Sequence, residues 1–145
     1  TVELAGTVRY LFATKPGADD NPTDKFVKMV NSICDTYGCS ATFNIIHEND
    51  AVVNDPIMTK MAYNTASAIV GKENVVEHCT MASEDFASFA ENVPAIFAFI
   101  GTASEEAKSV YPHHNPKFTI DEKTLPIGVT YLVKGALDYM NGGCD

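Results

Sequence analysis

Ala95-Ile96-Phe97-Ala98-Phe99-Ile100 is an unbroken run of six apolar residues, entered through Val93-Pro94 and left at Gly101. A strand with one wet face alternates apolar and polar residues, whereas a strand covered on both faces has no such need. The run predicts a buried strand with helices packed on it, which places the chain in the α/β class. A loop of about twenty residues follows, and connections of that length commonly carry function. Within it stands Tyr111-Pro112-His113-His114-Asn115-Pro116-Lys117-Phe118, with two of the chain's four histidines side by side. Pro112 and Pro116 stiffen the residues around them. Neutral imidazole is a common ligand for zinc and related metals, so a stiff loop bearing histidines is a candidate metal site. A loop histidine is also an ordinary surface residue, and the two readings stand together at this point.

Further out, the pattern alternates strand and helix. Leu125, Val129, Leu132, Val133, Leu137 and Met140 recur at helical spacing before Gly142-Gly143. Upstream, Ser83 reads as the cap of a short helix carrying Phe86, Phe89 and Ala90, with Glu84 and Asp85 in its first turn, and Val75-Val76 reads as a short strand. Asn54-Asp55-Pro56 opens a helix with Met58, Met61, Ala62, Thr65 and Ile69 facing inward, stopped at Gly71. Asn21-Pro22-Thr23-Asp24 gives the same cap-then-proline signal for a helix carrying Phe26, Met29, Val30, Ile33 and Tyr37, ending at Gly38. Strands at 2–13, broken by Lys15-Pro16-Gly17, and at 40–48 flank it, each alternating with a period of two. The character changes near Asn49-Asp50, which divides the chain into 1–50 and 51–145.

Composition narrows the function. With 46% hydrophobic and 20% charged residues the chain is an ordinary globular sequence, and its net charge of −9 disfavours nucleic acid and anionic membrane surfaces. No apolar run is long enough to span a bilayer, and no signal peptide is visible. Opening on Thr1 directly into a strand-like pattern, the chain reads as one cut from something longer. The four cysteines, Cys34, Cys39, Cys79 and Cys144, form no CxxC pair. They read as reduced, mostly buried thiols of a cytoplasmic protein. Gly101-Thr102-Ala103-Ser104 follows a strand but lacks GxGxxG and the GK[ST] of a phosphate loop, and no GxSxG elbow exists. Glu84-Asp85 offers carboxylates for metal or base chemistry, although acids in a first helical turn suit the helix dipole without any function. His47 and His78 read as surface or buried structural residues rather than ligands. Arg9, on the polar face of the first strand, suits a carboxylate-bearing ligand or any nearby acid.

Six short motifs then fall in one order: Gly6-Thr7-Val8-Arg9, Val53-Asn54-Asp55, Met81-Ala82-Ser83-Glu84-Asp85-Phe86, Val93-Pro94-Ala95-Ile96-Phe97, Phe99-Ile100-Gly101 and His114-Asn115-Pro116-Lys117-Phe118. Together they resemble the C-terminal portion of the dinuclear-metal amidohydrolases and metallopeptidases that include aminoacylases, hippurate hydrolases, auxin-conjugate hydrolases and carboxypeptidases. The resemblance implies residues 1–50 as the second half of an inserted, ferredoxin-like α+β dimerisation (lid) domain. It implies 51–145 as the C-terminal part of a zinc-aminopeptidase-like catalytic domain.

By the same resemblance His114, with His113 as the fallback, is a metal ligand. Ser83, Glu84, Gly101 and Thr102 line the substrate end of the cleft, and Arg9 pairs with the substrate carboxylate or the transition state. The implied cofactors are two divalent metal ions (zinc, or manganese or cobalt). The implied partners are a small N-acyl amino acid or peptide and a second copy of the chain, with no nucleic acid and no membrane. The sequence departs from the family in lacking its His-x-Asp, and its one adjacent glutamate pair, Glu105-Glu106, lies far from where the catalytic pair belongs. A zinc ion wants about three or four protein ligands, so this chain alone is expected to be inert and to hold no metal stably. The competing expectation is a non-catalytic oligomerisation or partner-binding module on the same fold. A chain holding only half of the inserted domain is further expected to bring 2–13 and 40–48 into direct pairing, or to fill the gap with a strand from a second copy.

Overall fold

The computed structural model describes residues 1–11 and 18–142. Phe12, the Lys15-Pro16-Gly17 break, Gly143 and Cys144 lie outside the described residues. Four α-helices follow in order: α1 (Pro22–Tyr37), α2 (Pro56–Val70), α3 (Ala87–Ala90) and α4 (Leu125–Met140), with 3₁₀ turns at Lys72–Asn74 and Glu122–Thr124. The two cap-then-proline signals do what their chemistry dictates. The Asn21 side chain accepts from the backbone N–H groups of Thr23 and Asp24, each at 3.0 Å, and that of Asp55 accepts from Ile57 and Met58 at 2.9 Å. Each proline sits where its missing N–H costs nothing. α1 stops at Gly38, whose φ of 66° is left-handed and favours a residue without Cβ.

The chain divides into two compact units, Thr1–Val52 with Thr80–Glu91, and Val53–Cys79 with Asn92–Asp145. This division differs from a linear cut at residue 50 by placing 80–91 with the first unit. Within the second unit α2 and α4 pack together. Met61, Ala62 and Thr65 of α2 are buried, as its stripe predicts. Thr65, 1% exposed, donates its hydroxyl to the Asp138 carboxylate, which also takes two bonds of 2.8 Å from Lys134. α4 crosses the 95–100 segment at Gly128, where a Cβ would come within 3.1 Å of Ile100 Cδ1.

The expected strands are not there. Among the described residues no segment pairs as a strand: 2–11, 40–48, 75–76 and 95–100 carry no ladder. Alternation or continuous apolarity specifies which faces a strand can bury, but a strand exists only when a neighbour takes its N–H and C=O groups. Direct pairing of 2–13 with 40–48 is likewise absent among the described residues. Phe99 and Ile100, expected to be covered on both faces, are 51% and 41% exposed. One short stretch is held in another way. The Asn54 side chain accepts from Phe97 N–H at 2.8 Å and donates to Phe97 C=O at 3.0 Å, while Asp55 N–H donates to Ala95 C=O at 2.9 Å. An amide side chain has one donor end and one acceptor end, so here it stands in for a neighbouring peptide group.

Further expectations need correction. α3 begins at Ala87, and Ser83 does not cap it: Phe86 precedes the helix with no side-chain cap. The six residues of α4 at helical spacing are exposed, as are Phe26, Met29, Ile33 and Tyr37 of α1. Cys39 and Cys79 are exposed and Cys34 is half-buried, so the thiols described are not mostly buried.

Candidate functional site

The histidine loop is hung from one carbonyl. Thr102 C=O accepts the Ser109 hydroxyl at 2.8 Å and the Asp121 N–H at 3.1 Å, so both ends of the 109–121 segment meet on a single backbone atom. Ser109 is 3% exposed, and its oxygen also accepts the Ser104 N–H at 2.9 Å. Asp121 in turn caps the following 3₁₀ turn through Lys123 N–H at 3.0 Å. Nothing in the sequence marks Ser109, because its partners are backbone groups brought together only by the turn. The same holds for Asn54, whose sequence signal speaks of a helix start and not of Phe97.

Within that loop Asn115 N–H donates to Pro112 C=O at 3.2 Å, closing a turn in which His114 takes φ 65°. Of the turn's two central residues only His114 has positive φ, which is the type II pattern, and that position favours glycine or asparagine. Asn115 then accepts the Lys117 N–H on its side chain at 2.9 Å, and Phe118 N–H donates to Asn115 C=O at 2.9 Å. His113 packs edge-on against Phe118 with ring centroids 5.0 Å apart, and the Lys117 ammonium lies 5.5 Å from the Tyr111 ring centre. His113 therefore has an aromatic neighbour in the loop, while His114 is exposed at the turn's left-handed corner. Gly101, exposed, and Thr102, half-buried, lie at the anchor of this loop.

In the first unit, Arg9 Nη1 donates to the Met81 carbonyl at 3.2 Å. This brings the arginine to the turn that leads into Ser83 and Glu84, across 72 residues of sequence. Ser83 is exposed and Glu84 half-buried. The helix-dipole explanation for Glu84 and Asp85 loses force, because α3 has four residues and no acid in its first turn. His78 is exposed and packs edge-on against Phe99 at 5.0 Å. His47, exposed, lies 3.4 Å from the half-buried Asp50.

Among the described residues no three His, Cys, Asp or Glu side chains gather where they could hold a metal ion. His114 alone cannot satisfy a zinc ion. The described residues of this chain therefore do not by themselves fit a metal centre.

Comparison with known proteins follows the same line. The family model described as Peptidase family M20/M25/M40 matches residues 4–138. The chain is 34% identical over 110 residues to an Arabidopsis thaliana protein named IAA-amino acid hydrolase ILR1-like 6, covering 72% of this chain and 24% of that one. It is 29% identical over 141 residues to Thermostable carboxypeptidase 2 of Saccharolobus solfataricus, and 30% identical over the same length to Thermostable carboxypeptidase 1 of that organism. Each of those two alignments covers 96% of this chain and 34% of the relative. The chain thus spans about a quarter to a third of the length of the curated relatives it matches. No solved structure shows a significant match.

Proposed function

The chain belongs to peptidase family M20/M25/M40, and from that premise we propose that it is the C-terminal segment of a metal-dependent amidohydrolase or peptidase. Family membership carries an α/β peptidase fold, and the relatives' names, amino-acid-conjugate hydrolase and carboxypeptidase, point to one bond type. The substrate class proposed is the amide bond of N-acyl amino acids or small peptides. The whole protein works with two divalent metal ions, zinc, manganese or cobalt. Residues 1–50 are the second half of a dimerisation or lid domain, and 51–145 the end of the catalytic domain.

One observation inside this chain carries the reading: His114 is held at φ 65° at the exposed corner of a loop whose two ends hang from the Thr102 carbonyl. A left-handed non-glycine residue costs about 1–2 kcal/mol, and such cost persists where the surroundings over-determine it, often at binding sites. His114 contributes one imidazole nitrogen to a metal whose other donors lie outside this chain. Arg9, held by the Met81 carbonyl, offers its remaining N–H groups to a substrate carboxylate. Ser83 and Glu84 on the adjoining turn, and separately Gly101 and Thr102 in the second unit, are the further substrate contacts proposed. No step of the hydrolysis is assigned to this chain's own residues, since no set of metal donors gathers among the described ones.

The test is made in the whole protein. His114→Ala lowers metal content and cuts turnover by two orders of magnitude or more, whereas His113→Ala, which loses only its contact with Phe118, is milder. Normal turnover in His114→Ala together with loss in His113→Ala moves the ligand back by one residue. Normal turnover in both removes the loop from the active site. A second reading, a non-catalytic oligomerisation module, is favoured by the exposed apolar faces of α1 and α4. Full metal-dependent activity in a strictly monomeric whole protein excludes it.

A further inference from the structure

The end of α1 brings two cysteines together through backbone geometry alone. Gly38 takes φ 66° and ψ 31°, Gly38 N–H donates to Asp35 C=O at 3.3 Å, and Cys39 N–H donates to Cys34 C=O at 2.9 Å. These are the two hydrogen bonds of a Schellman cap, a motif that places the side chains of the first and last residues of the six in contact. In most proteins that contact is between two apolar residues; here it is Cys34 against Cys39. Cys39 Sγ lies 3.5 Å from the Cys34 carbonyl oxygen, to which it donates. Cys39 is exposed and Cys34 half-buried.

We propose that Cys34 and Cys39 form a thiol–disulfide exchange site whose substrates are small-molecule disulfides of the glutathione type. The exposed Cys39 meets the reagent first. Its thiolate attacks one sulfur of the disulfide RSSR, the S–S bond breaks, and RS⁻ leaves to take up a proton as RSH. Cys34 then loses its proton to solvent and attacks the Cys39 sulfur of the mixed disulfide, expelling the second RSH. Two protein thiols and one RSSR give one intrachain disulfide and two RSH, with no other oxidant needed. The order of attack has a physical basis. The Cys34 thiol is held above its ordinary pKa, first by the hydrogen bond with Cys39, then by burial, then by the charges of Cys39 and Asp35. It remains the proton-bearing partner while Cys39 reacts, since the thiolate is the nucleophile. The product closes a short ring across the helix end and fixes the left-handed turn at Gly38.

The experiment uses the reduced 145-residue chain and oxidised glutathione, followed by alkylation and peptide mass spectrometry. Cutting after lysine leaves Cys34 and Cys39 together on the peptide Met29–Lys60, with Cys79 and Cys144 on separate peptides. The expected product is that peptide lighter by two hydrogens and closed to alkylation. In Cys34→Ser the glutathione adduct accumulates on Cys39, about tenfold faster than on Cys34 in Cys39→Ser, because Cys39 is exposed and Cys34 half-buried. Gly38→Ala keeps both thiols but strains the turn, so its disulfide equilibrium constant drops by a factor of about three or more, as does that of the wild-type chain in urea. Stable separate adducts on Cys34 and Cys39, preferential pairing of either with Cys79 or Cys144, or equal constants in wild type, Gly38→Ala and urea would overturn the proposal.

Discussion

α2 and α4 are nearly equal in length and each carries an apolar stripe, yet only α2 has stripe residues that are buried. Met61, Ala62 and Thr65 of α2 are at most 6% exposed, while the six stripe residues of α4 range from 49% to 71%. α4 meets α2 along a different edge, tied by Lys134 and Asp138 to Thr65. An apolar period specifies that a helix forms and which residues travel together; it does not supply the surface that covers them. For α2 that surface lies within this chain, on α4. For α4 no described residue covers the stripe, in a chain that spans about a third of several relatives' length.

Truncation is the strongest way to break this comparison. Met61→Ala is expected to destabilise the chain by about 2–4 kcal/mol in urea unfolding, because a well-packed site loses both burial and packing. Leu132→Ala, at a residue 71% exposed, is expected to cost under about 0.5 kcal/mol. Equal costs would mean that α4's stripe is covered in solution.

A smaller effect sharpens what holds the two helices together. Asp138 has its carboxyl pKa lowered, first by the hydrogen bond from Lys134 and then by that from Thr65. A depressed folded pKa contributes stability that is fully present above the unfolded value of about 3.9 and is lost as pH falls through the folded one. Asp138→Asn should therefore lower the melting temperature at neutral pH and flatten its decline below about pH 4. An unchanged acid limb would show that the tie carries no linkage.

The smallest effect separates backbone strain from burial. Lys108 holds φ 54° in the turn where Ser109 N–H donates to Ser104 C=O at 2.9 Å, the same backbone pattern as at Gly38. Lys108→Gly should stabilise the chain by about 0.5–1 kcal/mol, read as a shift of the urea midpoint. A loss of stability would show that the lysine side chain makes a contact worth more than the strain.

What was legible follows from range. The caps at Asn21 and Asp55 were readable because donor, acceptor and proline lie within four residues. The strands at 2–13, 40–48 and 95–100 were not, since alternation names a face but not a neighbour. Ser83 misled because a capping residue type is also an ordinary turn residue, and the chain enters its helix three residues later. At the candidate site, the histidine pair and its prolines were visible. The left-handed corner at His114, the Thr102 anchor and the reach of Arg9 to Met81 were not, because each depends on backbone brought together by folding. The family match runs through all of these residues, from 4 to 138.

The central claim is that this chain carries one donor of a metal centre and not the centre itself. It is tested most directly by assaying the purified 145-residue chain against N-acyl amino acids with added zinc, manganese or cobalt. The expected result is no metal-dependent hydrolysis, with His114→Ala indistinguishable from the unchanged chain. Metal-dependent turnover that co-purifies with the chain and disappears in His114→Ala would contradict the account.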